Sequence, residues 1–423
     1  MVRHSKFILE SLDRLLEQKM LRTISPVEAF NDDPKIFHYH LLARTTNEIT
    51  DGKIREIHSS GVSLFSRKIA LFKCLAEALE RLSVSIYSKK KLLNKTYHEL
   101  LSNNHIVFDP SSIIKAKKYR DKQFNWIQGK DIFWGNEIFF PAQLVFLNYK
   151  YDKEIVLSPE VNTTGCAGGF DHEDTLLRGI YELIERDAYL AIFIAMLTPK
   201  QIDLKTISHP EINYAIQLCK RYYLDIYTFD ITNDLQIPTF MTLIIDKTGL
   251  GQAFTTGLKS NLDPSSALIG SIEEALNTRS WYRKKIYENN KHTVNYLRPL
   301  EIDSHNKRAF FWSSVQQLKK LSFLFSSKQV SWQYPKFNKS PNKQLEYLKK
   351  IFIKKKFSSY YVNVTSPIIA PTNYRTYRVF IPQLQPFYIK ESAKRIYSDR
   401  IQQVARHFGK ENLVFNTQPH FFI

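Results

Sequence analysis

Cysteine is scarce in this chain, with three in 423 residues. Cys74, Cys166 and Cys219 lie far apart, with no CxxC spacing and no histidine set beside them. A disulfide framework and a thiolate zinc site are therefore excluded, and a reducing, cytoplasmic compartment is expected. Long apolar runs are missing too. The stretch Ala188 to Leu197 is too short to cross a bilayer. Near the start, Glu10 and Asp13 interrupt Ile8, Leu9, Leu12, Leu15 and Leu16, which reads as an amphipathic helix and not as a signal-peptide core. No membrane association is expected. Acidic residues are in deficit, leaving a formal charge of +19. Such a charge invites a nucleic-acid reading. The basic runs (Lys89 to Lys91, Lys115 to Lys122, Lys349-Lys350, Lys354 to Lys356) are scattered, however, and no nucleic-acid module accompanies them. An acidic peptide partner or a solvated surface accounts for the charge equally well, and nucleic acid is not the expected partner.

Glycine is sparse, at 13 residues, yet Gly165, Gly168 and Gly169 crowd into the run Asn162 to Gly169. A turn of small residues before a helix brings backbone N–H groups close to phosphate oxygens. The helix that follows carries the sequence ELIER, with Glu182, Glu185 and Arg186 at i, i+3, i+4. The same spacing occurs earlier in EALER, with Glu77, Glu80 and Arg81. Residues three and four apart share a helix face, so each segment presents two carboxylates and a guanidinium on one stripe. Lys73 joins the first stripe; Asp174 and Arg178 join the second. Leu75, Leu79 and Leu82, and Leu176, Ile180 and Ile184, fill the opposite arcs. One such stripe reads as a solvated face laced with ion pairs; two matching stripes are a metal–nucleotide pattern. A third helix opens at Asp263-Pro264, an N-cap followed by proline at the first helical position, and runs through Ser280. Arg279 falls in its apolar arc. A buried guanidinium needs an anionic partner. The structural choice is a carboxylate such as Glu274; the functional choice is phosphate.

These residues resemble the YcaO-domain family. FKCLAEALERLS (72–83), TTGCAGGFDHEDTLLRGIYELIERDAYL (163–190), LDPSSALIGSIEEALNTRS (262–280) and YYVNVTSPIIAPTNYRTYRVFIPQLQPF (360–387) occur in family order, and IFWGNEIFFPAQLVFLNY (132–149) is similar to a segment of peptide-modifying relatives. The resemblance implies an α+β fold, with mixed and antiparallel sheets packed against helices and an ATP–Mg2+ site between the helices. It implies residues 1–50 as a partly helical N-terminal extension and 51–423 as one catalytic domain. Carried over by position, Glu77, Glu80, Glu182 and Glu185 are implied metal ligands, and Asp174 a fifth with a shorter reach. Arg81, Arg186 and Arg279 are implied nucleotide contacts, and Glu182, Glu185, Arg186 and Arg279 the catalytic set.

The implied activity is ATP-dependent activation of backbone amides in a ribosomally made peptide. Cyclodehydration of Cys, Ser or Thr to azolines is the leading expectation, and thioamide or amidine formation the alternative. A non-catalytic nucleotide-binding accessory protein is a rival from another class. The expected partners are a precursor peptide and a separate leader-binding or ThiF-like protein, with a homodimer also allowed. Three departures stand out. Val62-Ser63-Leu64 replaces the usual Gly-Lys-Gly turn, ahead of a plausible N-cap at Ser66. Phe170 occupies a position that is often a polar nucleotide contact. The tail keeps a single proline, Pro419, where azoline-forming relatives repeat it. Cys166 is a candidate nucleophile by location but lacks a paired base. His38 and His40 alternate along an expected strand, reading as half-buried histidines before a metal pair. Loops are expected over 103–130 and 288–345.

Overall fold

The computed structural model describes residues 2–114, 117–249, 252–289 and 298–422. Helix α1 (Val2–Glu17) is followed by strands β1 (Leu21–Pro26), β2 (Phe37–Arg44) and β3 (Glu56–Ser63), an antiparallel sheet in that order. Helix α2 (Arg67–Ser83) covers this sheet. Ser66 caps it, its hydroxyl accepting the Ile69 N–H, and thereby satisfies one of the donors a helix start leaves open. The boundary expected at residue 50 falls inside the β2–β3 hairpin, so the N-terminal segment shares its sheet with residues 56–63.

Strands β4 (Leu93–Thr96), β5 (Gln123–Asp131), β6 (Glu137–Pro141) and β7 (Cys166–Gly169) lead into helix α3 (His172–Ile194). Next come β8 (Lys200–Asp203), helix α4 (Pro210–Arg221), β9 (Leu224–Asp230), β10 (Thr239–Asp246), β11 (Phe254–Ser260) and helix α5 (Pro264–Asn289). Strand β12 (Gln329–Ser331), helix α6 (Pro341–Lys355), β13 (Tyr360–Asn363), β14 (Arg375–Phe380) and helix α7 (Ser398–His407) complete the labelled elements. One sheet has the order β4-β5-β13-β14-β7, with β6 also paired to β5; the other has the order β11-β10-β9-β8-β12. Every pairing is antiparallel except β12 with β8. The α+β architecture with mixed sheets is as the family resemblance implies.

Two strand–helix units have backbones in close approach. A Cβ added at Gly61 of β3 would stand 2.2 Å from the Ala70 oxygen of α2, and one at Gly257 of β11 would stand 2.1 Å from the Ser271 oxygen of α5. Glycine is needed at both positions because nothing larger fits between strand and helix. Strand β10 is buried throughout, as befits a strand covered on both faces. The Ala188–Ile194 stretch is the last part of α3 and the spine of the largest core, against Phe229, Met241, Trp312 and Phe421. No helix among the described residues is long and apolar enough to cross a membrane. Helix α5 extends beyond the expected end at Ser280, to Asn289. The expected loops also hold structure: β5 begins inside 103–130, and β12 and the start of α6 lie inside 288–345. The short strand at Gln329 is set by its neighbour β8, a tertiary cause that local periodicity does not carry.

Candidate active site

The glutamates of α2 and α3 converge, joined by Glu274 of α5. Charge coupling runs along the row: Glu80 feels Glu77 and Glu182, Glu185 feels Glu182, and Glu274 feels Glu185. Each carboxylate is anchored by a backbone N–H of a strand or of the turn before one. The Ser60 N–H donates to Glu77 Oε2 at 2.7 Å, Gly168 N–H to Glu80 Oε1 at 2.9 Å and Gly165 N–H to Glu182 Oε2 at 3.2 Å. On β11 the Ser260 N–H donates to Glu185 Oε2 at 3.2 Å and the Leu258 N–H to Glu274 Oε2 at 2.6 Å. Strands β3, β7 and β11 are the outermost strands of their sheets, so their free N–H groups would otherwise be unpaired. Glutamates at these edges satisfy them and become fixed in return.

Burial raises the proton affinity of Glu80, Glu182, Glu185 and Glu274. Desolvation, with Glu77 and Glu182 adding repulsion, pushes the Glu80 carboxyl up to about 7. Burial and Glu185 push Glu274 to about 7 as well. Glu182 and Glu185 are raised by burial, opposed by Arg186 and Lys259. The Glu182 side chain nevertheless keeps 25% exposure, so the row lines a cleft instead of being sealed. Carboxylates held at this cost are an incentive for a divalent cation to enter.

Arg186 lies among these acids. Its Nη1 is 3.3 Å from Glu185 Oε1 and its Nη2 3.9 Å from Glu182 Oε1. Its guanidinium carbon stands 4.0 Å from the centre of the Phe422 ring and 5.3 Å from that of Phe387. Buried Nη1 still has no hydrogen-bond partner. A buried donor without a hydrogen bond, beside carboxylates with raised proton affinity, suits a phosphate oxygen that arrives with a divalent cation. Among the described residues no three His, Cys, Asp or Glu side chains form a ready-made metal site. Phosphate and water would therefore complete the shell, as is usual for Mg2+.

The other expected site residues are placed differently. Arg81 pairs with Glu77 at 2.6 Å and donates to the His58 carbonyl, at the rim of the row. Asp174 pairs with Arg178 at 2.9 Å, two helical turns before Glu182 and 39% exposed. Arg279 takes the structural option. Its Nε donates to Asp33 at 2.6 Å and its Nη2 to Asp246 at 2.8 Å, with both partners buried. Its Nη1 has no partner, but two carboxylates already compensate the charge, and Glu274 instead faces the row. The apolar arc of the sequence places Arg279 in the interior, and there Asp33 and Asp246, both distant in sequence, are its partners.

Phe170 packs against Phe7, with ring centres 5.2 Å apart, and against Tyr374 at 5.3 Å. Helix α1 thus docks where a polar contact was expected. His38 is buried beside the Ser280 hydroxyl, and burial lowers its pKa to about 4, while His40 faces His58 at 3.3 Å. Cys166 is buried 3.3 Å from Arg378 Nη1, and burial raises its thiol pKa, which leaves no poised thiolate. The tail folds back onto the site: the Phe421 and Phe422 N–H groups both donate to the Tyr189 hydroxyl at 2.9 Å. Beside Arg186 lies a cavity of about 840 Å3, lined by Asn162, Thr164, Arg378 and the 381–388 segment.

Anchored acids from three helices, beside a guanidinium with one buried nitrogen that has no hydrogen-bond partner, have the chemistry that suits phosphate and a divalent cation. The chain belongs to the YcaO cyclodehydratase family, described as ATP- and Mg2+-binding, whose profile matches residues 65–385. ATP and Mg2+ are accordingly its cofactors. An uncharacterized protein from Methanothermobacter thermautotrophicus is 27% identical over 176 residues, 41% of this chain and 45% of that one. An uncharacterized protein of the tfuA 3′ region of Rhizobium leguminosarum bv. trifolii is 26% identical over 163 residues, 36% of this chain and 38% of that one. The matched stretches thus span less than half of these curated relatives. Among solved structures, a heterocyclase in complex with substrate and cofactor superposes with a TM-score of 0.74 at 16% identity, covering 97% of this chain and 57% of its own. YcaO from Methanopyrus kandleri bound with AMPPCP and Mg2+ gives 0.65 at 14% identity, covering 93% and 95%. The E. coli microcin synthetase McbBCD complex gives 0.60 at 16%, covering 90% and 95%. At these identities the likeness is one of fold.

Proposed function

We propose that this protein activates backbone amides of a ribosomally made peptide at the expense of ATP, with azoline formation from Cys, Ser or Thr as the leading outcome. The observation that carries this reading is the anchored row Glu77, Glu80, Glu182, Glu185 and Glu274. Glu80, Glu182, Glu185 and Glu274 would be the acids that attract Mg2+ with its nucleotide, phosphate and water completing the shell, with Glu77 at the rim. Bound ATP supplies the phosphoryl group that turns an amide oxygen into a leaving group. Arg186, clamped between acids and two aromatic rings, neutralises charge developing on the transferring group. No protein nucleophile is required, in agreement with the buried, unactivated Cys166. The cavity beside Arg186 receives the peptide, with the PQLQP segment (382–386) as part of its wall. A separate leader-binding protein delivers the peptide, and the chain acts in the cytoplasm.

Co-expression with a neighbouring Cys-, Ser- and Thr-rich peptide and its leader-binding protein tests the reading. Loss of about 18 Da per site marks azolines and a gain of about 16 Da marks thioamides, both from atomic masses for amide-oxygen replacement. An unmodified peptide with no stimulated ADP release would favour the accessory-protein reading.

A further inference from the structure

Strand β11 carries a cation that neither glutamate repeat announces. Lys259 sits between Leu258 and Ser260, whose N–H groups anchor Glu274 and Glu185. Along a strand, neighbouring side chains alternate in face, and Lys259 is exposed where Leu258 and Ser260 are buried. Its stem lies across α5 at Gly270, one turn before Glu274: a Cβ added there would stand 2.8 Å from Lys259 Cγ and 3.1 Å from Cδ. Glycine inside a helix is unfavourable relative to alanine, and Gly270 is not left-handed, so backbone conformation does not call for it. Space for the lysine does. Lys259 forms no ion pair among the described residues, while Arg186 occupies that role at Glu182 and Glu185. The charge of Lys259 nonetheless acts on Glu182, Glu185 and Glu274 together. An exposed ammonium whose stem is seated against Gly270 and whose charge reaches three acids of the row, closed onto none of them, is suited to an anion that a metal would bring.

We propose that Lys259 contacts a phosphate of the bound nucleoside triphosphate, and that Gly270 is small in order to let its stem pass. The inference rests on the nucleotide reading above and names a residue on which that reading does not depend.

Calorimetric titration with AMPPCP plus Mg2+, and separately with AMP, tests it. Lys259→Met keeps the stem and removes the charge; it should weaken AMPPCP binding about tenfold and leave AMP within about twofold, the scale of one charge-assisted hydrogen bond. Lys259→Arg should recover most of the loss. Gly270→Ala, with the lysine present but displaced, should also weaken AMPPCP selectively. Unchanged AMPPCP affinity in Lys259→Met, equal losses for both ligands, or a Lys259→Met protein that does not fold would each overturn the proposal. Wild-type protein that binds no AMPPCP would instead overturn the nucleotide reading itself.

Discussion

Gly168 on β7 donates its backbone N–H to Glu80 on α2 at 2.9 Å, across 88 positions of sequence. The strand that introduces the second glutamate repeat thus anchors a carboxylate of the first. Glu80 is held in a setting that penalises its charge, so Glu80→Gln should stabilise the nucleotide-free protein while removing a proposed metal ligand. Melting should rise by about 2 °C for each kcal/mol of relieved desolvation. Mg2+-dependent AMPPCP affinity should fall at least tenfold in the same protein.

The pH dependence follows from the same burial. Glu80 and Glu274 reach about 7 when folded, against about 4.5 as free side chains. Between those values the folded state binds more protons than the unfolded state, so their contribution to stability is greatest at the acid end and declines as pH rises through 7. Mg2+ requires the ionised form and competes with those protons. Melting followed from pH 5.5 to 8.5 should show the ligand-free protein losing stability from these groups while the shift caused by Mg2+ and AMPPCP grows.

Arg279 supplies a contrast within the same helix. Removing it leaves Asp33 and Asp246 as buried charges without their shared partner, a loss of about 3–5 kcal/mol. Arg279→Met should therefore lower the melting temperature sharply and leave AMPPCP affinity of the folded protein unchanged. Selective loss of nucleotide binding without destabilisation would favour a phosphate contact for Arg279 instead.

The tail contact is testable in the opposite sense. Phe422 stacks on Arg186, and a partly desolvated cation–π pair contributes about 1–2 kcal/mol. Phe422→Ala should free the guanidinium, lowering ATP turnover several-fold while Tyr189 retains its backbone contacts to the tail. Turnover equal to wild type would show that the ring does not position Arg186.

The glutamate repeats were legible in the sequence because helical spacing forces i, i+3 and i, i+4 residues to one face. Asp263 as an N-cap was legible for the same local reason: its Oδ2 accepts the Ser266 N–H at 3.1 Å. Glu274 and Lys259 were not. Glu274 lies five residues before Arg279, and local reasoning offered the arginine as its partner; only folding brings β11 and Glu185 to it and Asp33 to the arginine. Lys259 is one lysine among many, and its meaning depends on a missing side chain at Gly270 in another element. The tail misled in another way: a missing proline pattern was visible, whereas the packing of Phe421 and Phe422 onto Tyr189 and Arg186 is tertiary.

The central claim is that acids from separate helices jointly hold a magnesium-bound nucleotide, and calorimetric titration of AMPPCP with and without Mg2+ tests it most directly. Wild-type protein should bind one AMPPCP per chain in a Mg2+-dependent manner, and Glu182→Gln should remove the Mg2+ dependence while remaining folded. Binding that ignores Mg2+, or a Glu182→Gln protein indistinguishable from wild type, would contradict the account.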